Sequence, residues 1–333
     1  MKNALYKSCM VQQKGVALVL VLWMLSLMTI MAGSYALSMR RQLSIVEGIK
    51  NNARALAMAE SGVALAESML LSPDQNKRWH VDGNVYQIDY AGNDNETGAK
   101  IRLRLITESG KVDINSADTG LMEGLMAHAP IDEDQRMALL NAIIDWRDED
   151  DLVSINGAEK KQYQEAGLSY QPRNKPFQSI EELQLVLGMT EPVYKWLEPL
   201  VTVNSGQQQV DLQQAPQEVL RVLPGVDANL LETFLATRLD SDNKGLPPPA
   251  FPGGTGQSSV PGQINLVTVI SEAILDDGAD ALVNVMIVKT ENNPISPFQV
   301  LKWQRDASGY GTLFTDEMSE LLVKEYAESE FNN

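Results

Sequence analysis

The sequence predicts an α+β chain: one long N-terminal helix, then two groups of strands separated by a helical stretch. Three observations carry this reading. No charged residue occurs between Val16 and Met39. Apolar and polar residues alternate at period two near 84–107 and again beyond 265, as in strands with one buried face. Between about Lys111 and Leu239 the spacing is helical.

The first element is set by its charge. Residues 1–15 hold Lys2, Lys7 and Lys14 and no acid, and the uncharged run that follows is 24 residues long. About 20 apolar residues in a helix cross the hydrocarbon core of a bilayer, and a helix satisfies its own backbone there. A cleaved secretory signal has an apolar core of only ~7–15 residues, so the run is too long for one, although Ser34-Tyr35-Ala36 imitates a cleavage site. Cys9 precedes the run, whereas a lipidated cysteine would follow it. Residues 16–39 therefore read as a transmembrane helix.

The helix is expected to continue beyond Met39. No proline occurs from Arg40 to Leu71, and Ala55, Ala57, Ala59, Ala64 and Ala66 favour helix. Leu43, Val46, Ile49, Leu56, Ala59, Val63, Ala66 and Leu70 form an amphipathic stripe expected to pack on the chain's own domain. Ser72-Pro73-Asp74 ends it, giving about 56 residues or ~84 Å. Strands are expected at Asn84–Tyr90, Ile101–Thr107, Asn265–Ser271, Ala281–Thr290 and Phe298–Trp303. Ten Gly or Pro among the 22 residues from Ser241 to Gly262 mark a loop. Within the helical stretch, Val112-Asp113-Ile114-Asn115-Ser116-Ala117 is echoed by Val210-Asp211-Leu212-Gln213-Gln214-Ala215, each opening a helical pair. The second pair holds Leu223-Pro224-Gly225-Val226, a turn like those of helix-hairpin-helix modules.

Composition excludes several functions. With 27 basic and 44 acidic residues the net charge is −17, unsuited to broad nucleic-acid binding. One cysteine excludes a disulfide framework and a four-thiolate zinc site. His80 and His128 lie far apart, lack acidic or cysteine partners at ligand spacing, and read as surface or packing residues. Neither a P-loop, Gly-x-Ser-x-Gly nor His-Glu-x-x-His is present. No nucleophile–base pair supports an enzyme.

The strongest chemical signal is Asp145-Trp146-Arg147-Asp148-Glu149-Asp150-Asp151, with five carboxylates in seven residues. Such a run must be solvated or neutralised by a cation, and hard oxygens suit calcium. Counted from Asp148, Asp150, Ser154 and Glu159 take EF-hand positions three, seven and twelve. Leu152 and Val153 stand at five and six, where an EF-hand needs a ligand and a glycine, so a true EF-hand is rejected.

The basic leader ends in Gln13-Lys14-Gly15, and Val16-Ala17-Leu18 opens the apolar run. Here the chain resembles a type IV prepilin-like protein. Leu20 replaces the glutamate that most members carry at the fifth mature position. A buried carboxylate without a partner is costly, so a subunit with nothing stacked above it does better without one. Together with the split sheet, this narrows the resemblance to the minor pseudopilin K of type II secretion systems. The resemblance implies cleavage between Gly15 and Val16 by prepilin peptidase, methylation of the mature protein, and a first helix packed on a small antiparallel sheet with a large all-helical insertion. Its boundaries would be 1–15 leader, 16–39 transmembrane helix, 40–110 helix and first sheet half, 111–239 insertion, 240–262 loop and 263–333 second sheet half with the C-terminus. It implies calcium at Asp145, Asp148, Asp150, Glu159 and Asn174. Gly157-Ala158-Glu159 and Asn174-Lys175-Pro176 match the family's pattern, while Lys160 departs from it, where the family has an acid. It also implies a single-pass inner-membrane protein with its bulk in the periplasm. Its partners would be the I and J minor pseudopilins, the major pseudopilin and the inner-membrane secretion assembly, with no nucleic acid. A minor pilin of a type IV pilus, adhesive or DNA-binding, is the alternative.

Overall fold

The computed structural model describes residues 16–92, 98–252, 266–290, 296–305 and 311–324. Helix α1 runs Val16–Leu70. Strands β1 (Asp82–Tyr90) and β2 (Ala99–Thr107) follow, then the short strand β3 (Val112–Asp113). Helices α2 (Thr119–Met126), α3 (Glu133–Arg147), α4 (Lys160–Glu165) and α5 (Glu191–Leu197) precede β4 (Val201–Thr202). Helices α6 (Gln217–Leu220) and α7 (Ala228–Asn243) complete the insertion. The chain ends with β5 (Leu266–Leu275), β6 (Asp280–Lys289), β7 (Phe298–Arg305), α8 (Asp316–Glu320) and β8 (Leu322–Val323). It divides within α1 into two units, 1–53 and 54–333.

In the second unit β1, β2, β5, β6 and β7 form an antiparallel sheet in the order β7-β6-β5-β2-β1, so the two halves expected from the sequence join at β2 and β5. Beyond β1 lies β8, which pairs parallel to it at Val85–Leu322 and Tyr86–Val323. A two-residue strand carries too little pattern for sequence reading, and only its register on β1 defines it. Ile101, Leu103 and Leu105 on β2, with Val267, Val269 and Ala273 on β5, join Ala59, Val63, Ala66 and Leu70 of α1 in one core. A side chain at Gly62 would meet Ile101, Leu103 and Ser271, so glycine lets α1 approach the sheet.

The stripe on α1 is only partly used. Ala55 to Leu70 is the buried portion, whereas Leu43, Val46 and Ile49 are exposed. Strands of nine or ten residues span ~30 Å, so the sheet can face about 20 residues of helix at ~1.5 Å each.

The opposite sheet face is mixed, with Arg102, Arg104 and Glu272 beside the apolar cluster Ile106, Ile270 and Leu313, and is crossed by residues 311–324. Arg102 donates to the Leu313 carbonyl at 2.8 Å and stacks its guanidinium on Phe314, while Glu272 accepts from Thr312 Oγ1 and the Leu313 amide. The insertion has its own core around Trp146, Tyr163 and Phe177. It is helical apart from the parallel pair β3–β4, and α7 runs past the expected boundary at 239 to Asn243. Asn115 joins its parts, donating to the Phe177 carbonyl at 2.9 Å and accepting from the Phe177 amide at 2.7 Å. Two ion pairs stand at the junction with the sheet: Lys111–Glu108, fully buried at 3.0 Å, and Arg104–Glu218 at 2.7 Å. Burial alone would raise both carboxyls. The neighbouring cations more than reverse this and hold both below the usual range.

Gly62 and Gly48 lie on the same helix in opposite environments, since nothing approaches a side chain at 48. Gly62→Val is expected to lower the melting temperature of the detergent-solubilised chain by an overpacking cost of about 1–3 kcal/mol. Gly48→Val should leave it unchanged or raised slightly by helix propensity. Equal effects would contradict the packing described.

Candidate metal centre

Helix α3 delivers the site. Its apolar positions Leu139, Leu140, Ala142, Ile143 and Trp146 are buried. That burial fixes the rotation of its last turn and carries Asp145 inward with Trp146. Asp145 is fully buried, and both its oxygens accept from the Ser154 amide at 3.2 Å. Helix α3 ends at Asp148, whose amide still bonds the Ile144 carbonyl at 3.1 Å. The loop returns through Asn156, in the left-handed region at φ 60°, and through Gly157, where a side chain would strike the Asp145 carboxylate. It closes on Glu159, the N-cap of α4, whose amide donates to Gln162 Oε1 at 3.0 Å.

Asp145, Asp148 and Glu159 therefore lie within electrostatic reach of one another. Asp148 Oδ1 and Glu159 Oε1 are buried with no hydrogen-bond partner, and Glu159 is 5% exposed. Burial, then the charges of Asp145 and Asp148, push the Glu159 carboxyl up to about 7. Burial, then Asp150 and Asp145, raise Asp148. Donors that would relieve this repulsion are missing from the two orphaned oxygens, and an oxygen-seeking cation fits that deficit.

The other two expected ligands stand at the rim. Asp150 Oδ1 accepts from the Leu152 amide at 2.8 Å in a local turn. Asn174, at φ 50°, commits its amide nitrogen to the Asp150 carbonyl at 2.6 Å and to Asp151 at 3.0 Å, so it clasps the loop as a donor. Asp151 had no assigned role in the sequence, yet it faces both Asn174 and the charge of Glu159. Its membership in the acidic run was the available signal. Trp146 is a core anchor, stacked on Phe177 at 6.0 Å.

The hairpin Leu223-Pro224-Gly225-Val226 borders a cavity of about 450 Å³. A helix N-terminus that binds phosphate needs open amides. Here Asp227 caps α7 itself, accepting from the amides of Asn229 and Leu230 at 2.9 and 3.0 Å. Asp118, the cap of α2, lines the same cavity. The turn serves packing and presents carboxylates to any nucleic acid.

At the other end of the chain, Gly15 lies outside the described residues, and Val16 is the first residue of α1. Leu20 is 62% exposed on that helix. The helix is long and apolar enough to cross a membrane, and none of its most apolar window is buried, which fits a single-pass anchor.

Residues 99–206 match the family model described as "Type II secretion system (T2SS), protein K". Type II secretion system protein K of Klebsiella pneumoniae is 28% identical over 211 residues, 57% of this chain and 62% of that protein. The protein of that name from Aeromonas hydrophila is 26% identical over 217 residues, covering 57% and 63%. The chain thus aligns with less than two thirds of the length of these relatives. A chain of the GspK-GspI-GspJ complex from the enterotoxigenic Escherichia coli type 2 secretion system shares 17% identity at a TM-score of 0.47, over 80% of this chain and 98% of that one. The matched residues 99–206, which carry β2, helices α2 to α5 and the acidic loop, are thus similar to type II secretion system protein K.

Proposed function

We propose that this chain is a minor pseudopilin of a type II secretion system, held in the inner membrane by residues 16–39 with its bulk in the periplasm. In this reading it joins I-type and J-type minor pseudopilins at the tip of the pseudopilus and supports export of folded proteins. The observation that carries it is α1 itself: one uninterrupted helix whose first half is apolar and exposed and whose last turns form part of a protein core. Such a helix moves from lipid to a bundle of sister helices without refolding, because both surroundings accept the same apolar surface. Leu20 suits a position with no subunit above. The bulk of the insertion would block further stacking. The role is structural, with no chemistry performed on the exported protein.

Calcium belongs to the same reading. Asp145, Asp148 and Glu159 would hold it, with Asp150 and Asp151 at the mouth and Asn174 closing the loop. The ion would supply charge neutralisation and fix the loop between α3 and α4. Extracytoplasmic sites work even at affinities of ~10⁻⁴ M.

Three measurements test this. The amino terminus of the chain recovered from membranes is expected at Val16; an intact Met1 in secreting cells, or a terminus beyond Ala36, would contradict it. Leu20→Glu should impair tip assembly and secretion, and unaltered secretion would remove the argument from that position. At ten to a hundred times its dissociation constant, calcium should stabilise the chain by about 1–3 kcal/mol, and Asp148→Ala should abolish the shift. No shift at millimolar calcium would remove the site.

The calcium-free chain gives a pH test as well. A carboxyl at about 7 in the folded state and near 4.5 unfolded binds more proton when folded. Its contribution is therefore full below pH 4.5 and lost as pH rises through 7, at up to ~1.4 kcal/mol per unit. Without calcium, Glu159→Gln should lose less melting temperature than the parent between pH 5 and 7.5. Parallel curves would contradict the clustering.

A further inference from the structure

We propose that His80, Asp82 and Asp242 form a zinc site that ties the sheet to the helical insertion. The sequence reading placed His80 on the surface or in packing, without an acidic partner. The fold supplies two. His80 and Asp82 stand at the entry to β1, and Asn84 follows beyond Gly83, which turns through the left-handed region at φ 85° where the β1–β2 register shifts. Asp242 arrives on the last turn of α7. His80 Nδ1 contacts Asp242 Oδ1, and one ligand atom from each of His80, Asp82 and Asp242 lies within 4.8 Å of the others.

The surroundings are built to orient these ligands. Asn84 gives its side-chain nitrogen to Asp242 Oδ2 at 2.5 Å and its amide to Asp82 Oδ1 at 3.1 Å. Arg238, one turn before Asp242 on α7, sets its Nε 3.1 Å from Asp82 Oδ2 and donates through a terminal nitrogen to the Ala215 carbonyl at 2.6 Å. Tyr86 Oη accepts from the His80 amide at 2.8 Å. Outer groups that hold carboxylate and imidazole ligands in place are a regular part of metal sites.

Charge points the same way. Asp82 and Asp242 are 1% and 2% exposed. With a neutral imidazole, two carboxylates face one guanidinium, and a net negative charge is left buried, which is costly. A divalent cation meets that charge. The donor set of one imidazole nitrogen and two carboxylates suits zinc, whereas the all-carboxylate loop after α3 suits calcium. Three protein ligands leave one tetrahedral position open, and His80 at 14% side-chain exposure provides the entrance. His80 and Asp242 are 162 residues apart, and the whole insertion lies between them. Zinc there would close that loop and fix the insertion on the sheet.

The test uses the full chain in detergent, in a Cys9→Ser background that removes the only thiol, stripped with a chelator and titrated with zinc chloride. We expect one equivalent of zinc to be retained, a melting temperature higher by a few degrees, and d–d absorption of nitrogen and oxygen coordination when cobalt replaces zinc. His80→Ala and Asp242→Asn should abolish retention, Arg238→Lys should weaken it about tenfold or more, and Asp148→Ala should leave it intact. The proposal is overturned if the unaltered chain retains no zinc, which would make the cluster an ion-pair latch with protonated His80. It is equally overturned if zinc survives both ligand substitutions or is lost with Asp148→Ala. Should the ligand variants fail to fold, the cobalt spectrum of the unaltered chain decides alone, and absent d–d bands sink the site.

Discussion

A single hydrogen-bonded ladder, helix α1, carries two incompatible surfaces. Up to Ile49 its large apolar side chains are exposed, and from Ala55 the same helix is part of a core. Water tolerates the second arrangement and opposes the first, since every exposed apolar side chain costs roughly 1.5–3 kcal/mol relative to burial. The first half suits lipid or the apolar faces of other helices. The second half fixes which sheet face is apolar, and so which face receives Arg102, Arg104 and Glu272 and the segment that crosses it. From that face the insertion is reached through the buried pair Lys111–Glu108 and the partly exposed pair Arg104–Glu218.

The junction explains how a large insertion can interrupt a sheet without weakening it. Strands β2 and β5 pair from Ala99–Leu275 to Thr107–Val267, although the insertion separates them. The insertion leaves and returns beside the Thr107 end of that pairing, where Glu108 Oε1 accepts from both Lys111 and Thr268. Stability in the insertion comes from its own aromatic core, and the acidic loop hangs from that core through Asp145 and Trp146. The repeated Val-Asp opening has a common physical role: Asp113 and Asp211 each accept an amide two residues on, at 2.8 and 3.1 Å, and turn the chain toward the next helix.

Much of this was legible from local pattern. The strand positions agree with period-two alternation to within a few residues, and the long helix ends within one residue of Leu71, ahead of Pro73. The acidic loop was visible because five carboxylates within seven residues have few physical explanations. What escaped depends on distance along the chain. The parallel partner of β1 is two residues long and comes from the far end of the sequence. The stripe at Leu43, Val46 and Ile49 has the same spacing as the buried part, and only the finite length of the strands separates the two. Asn174 enters as a ligand only through the family resemblance, and its side-chain nitrogen donates to the Asp150 carbonyl and to Asp151, contacts that no spacing rule gives. His80 and Asp242 meet only because α7 folds back on β1, and no spacing rule anticipates that.

The central claim is that one helix passes without a break from an apolar medium to a folded domain. Single cysteines at Ser26, Gly33, Glu47 and Asn51, each in a Cys9→Ser background, can be challenged with a membrane-impermeant maleimide in native membranes. The account predicts that positions 26 and 33 stay unlabelled until detergent is added, while 47 and 51 label at once. Labelling at 26 and 33 in intact membranes would contradict it.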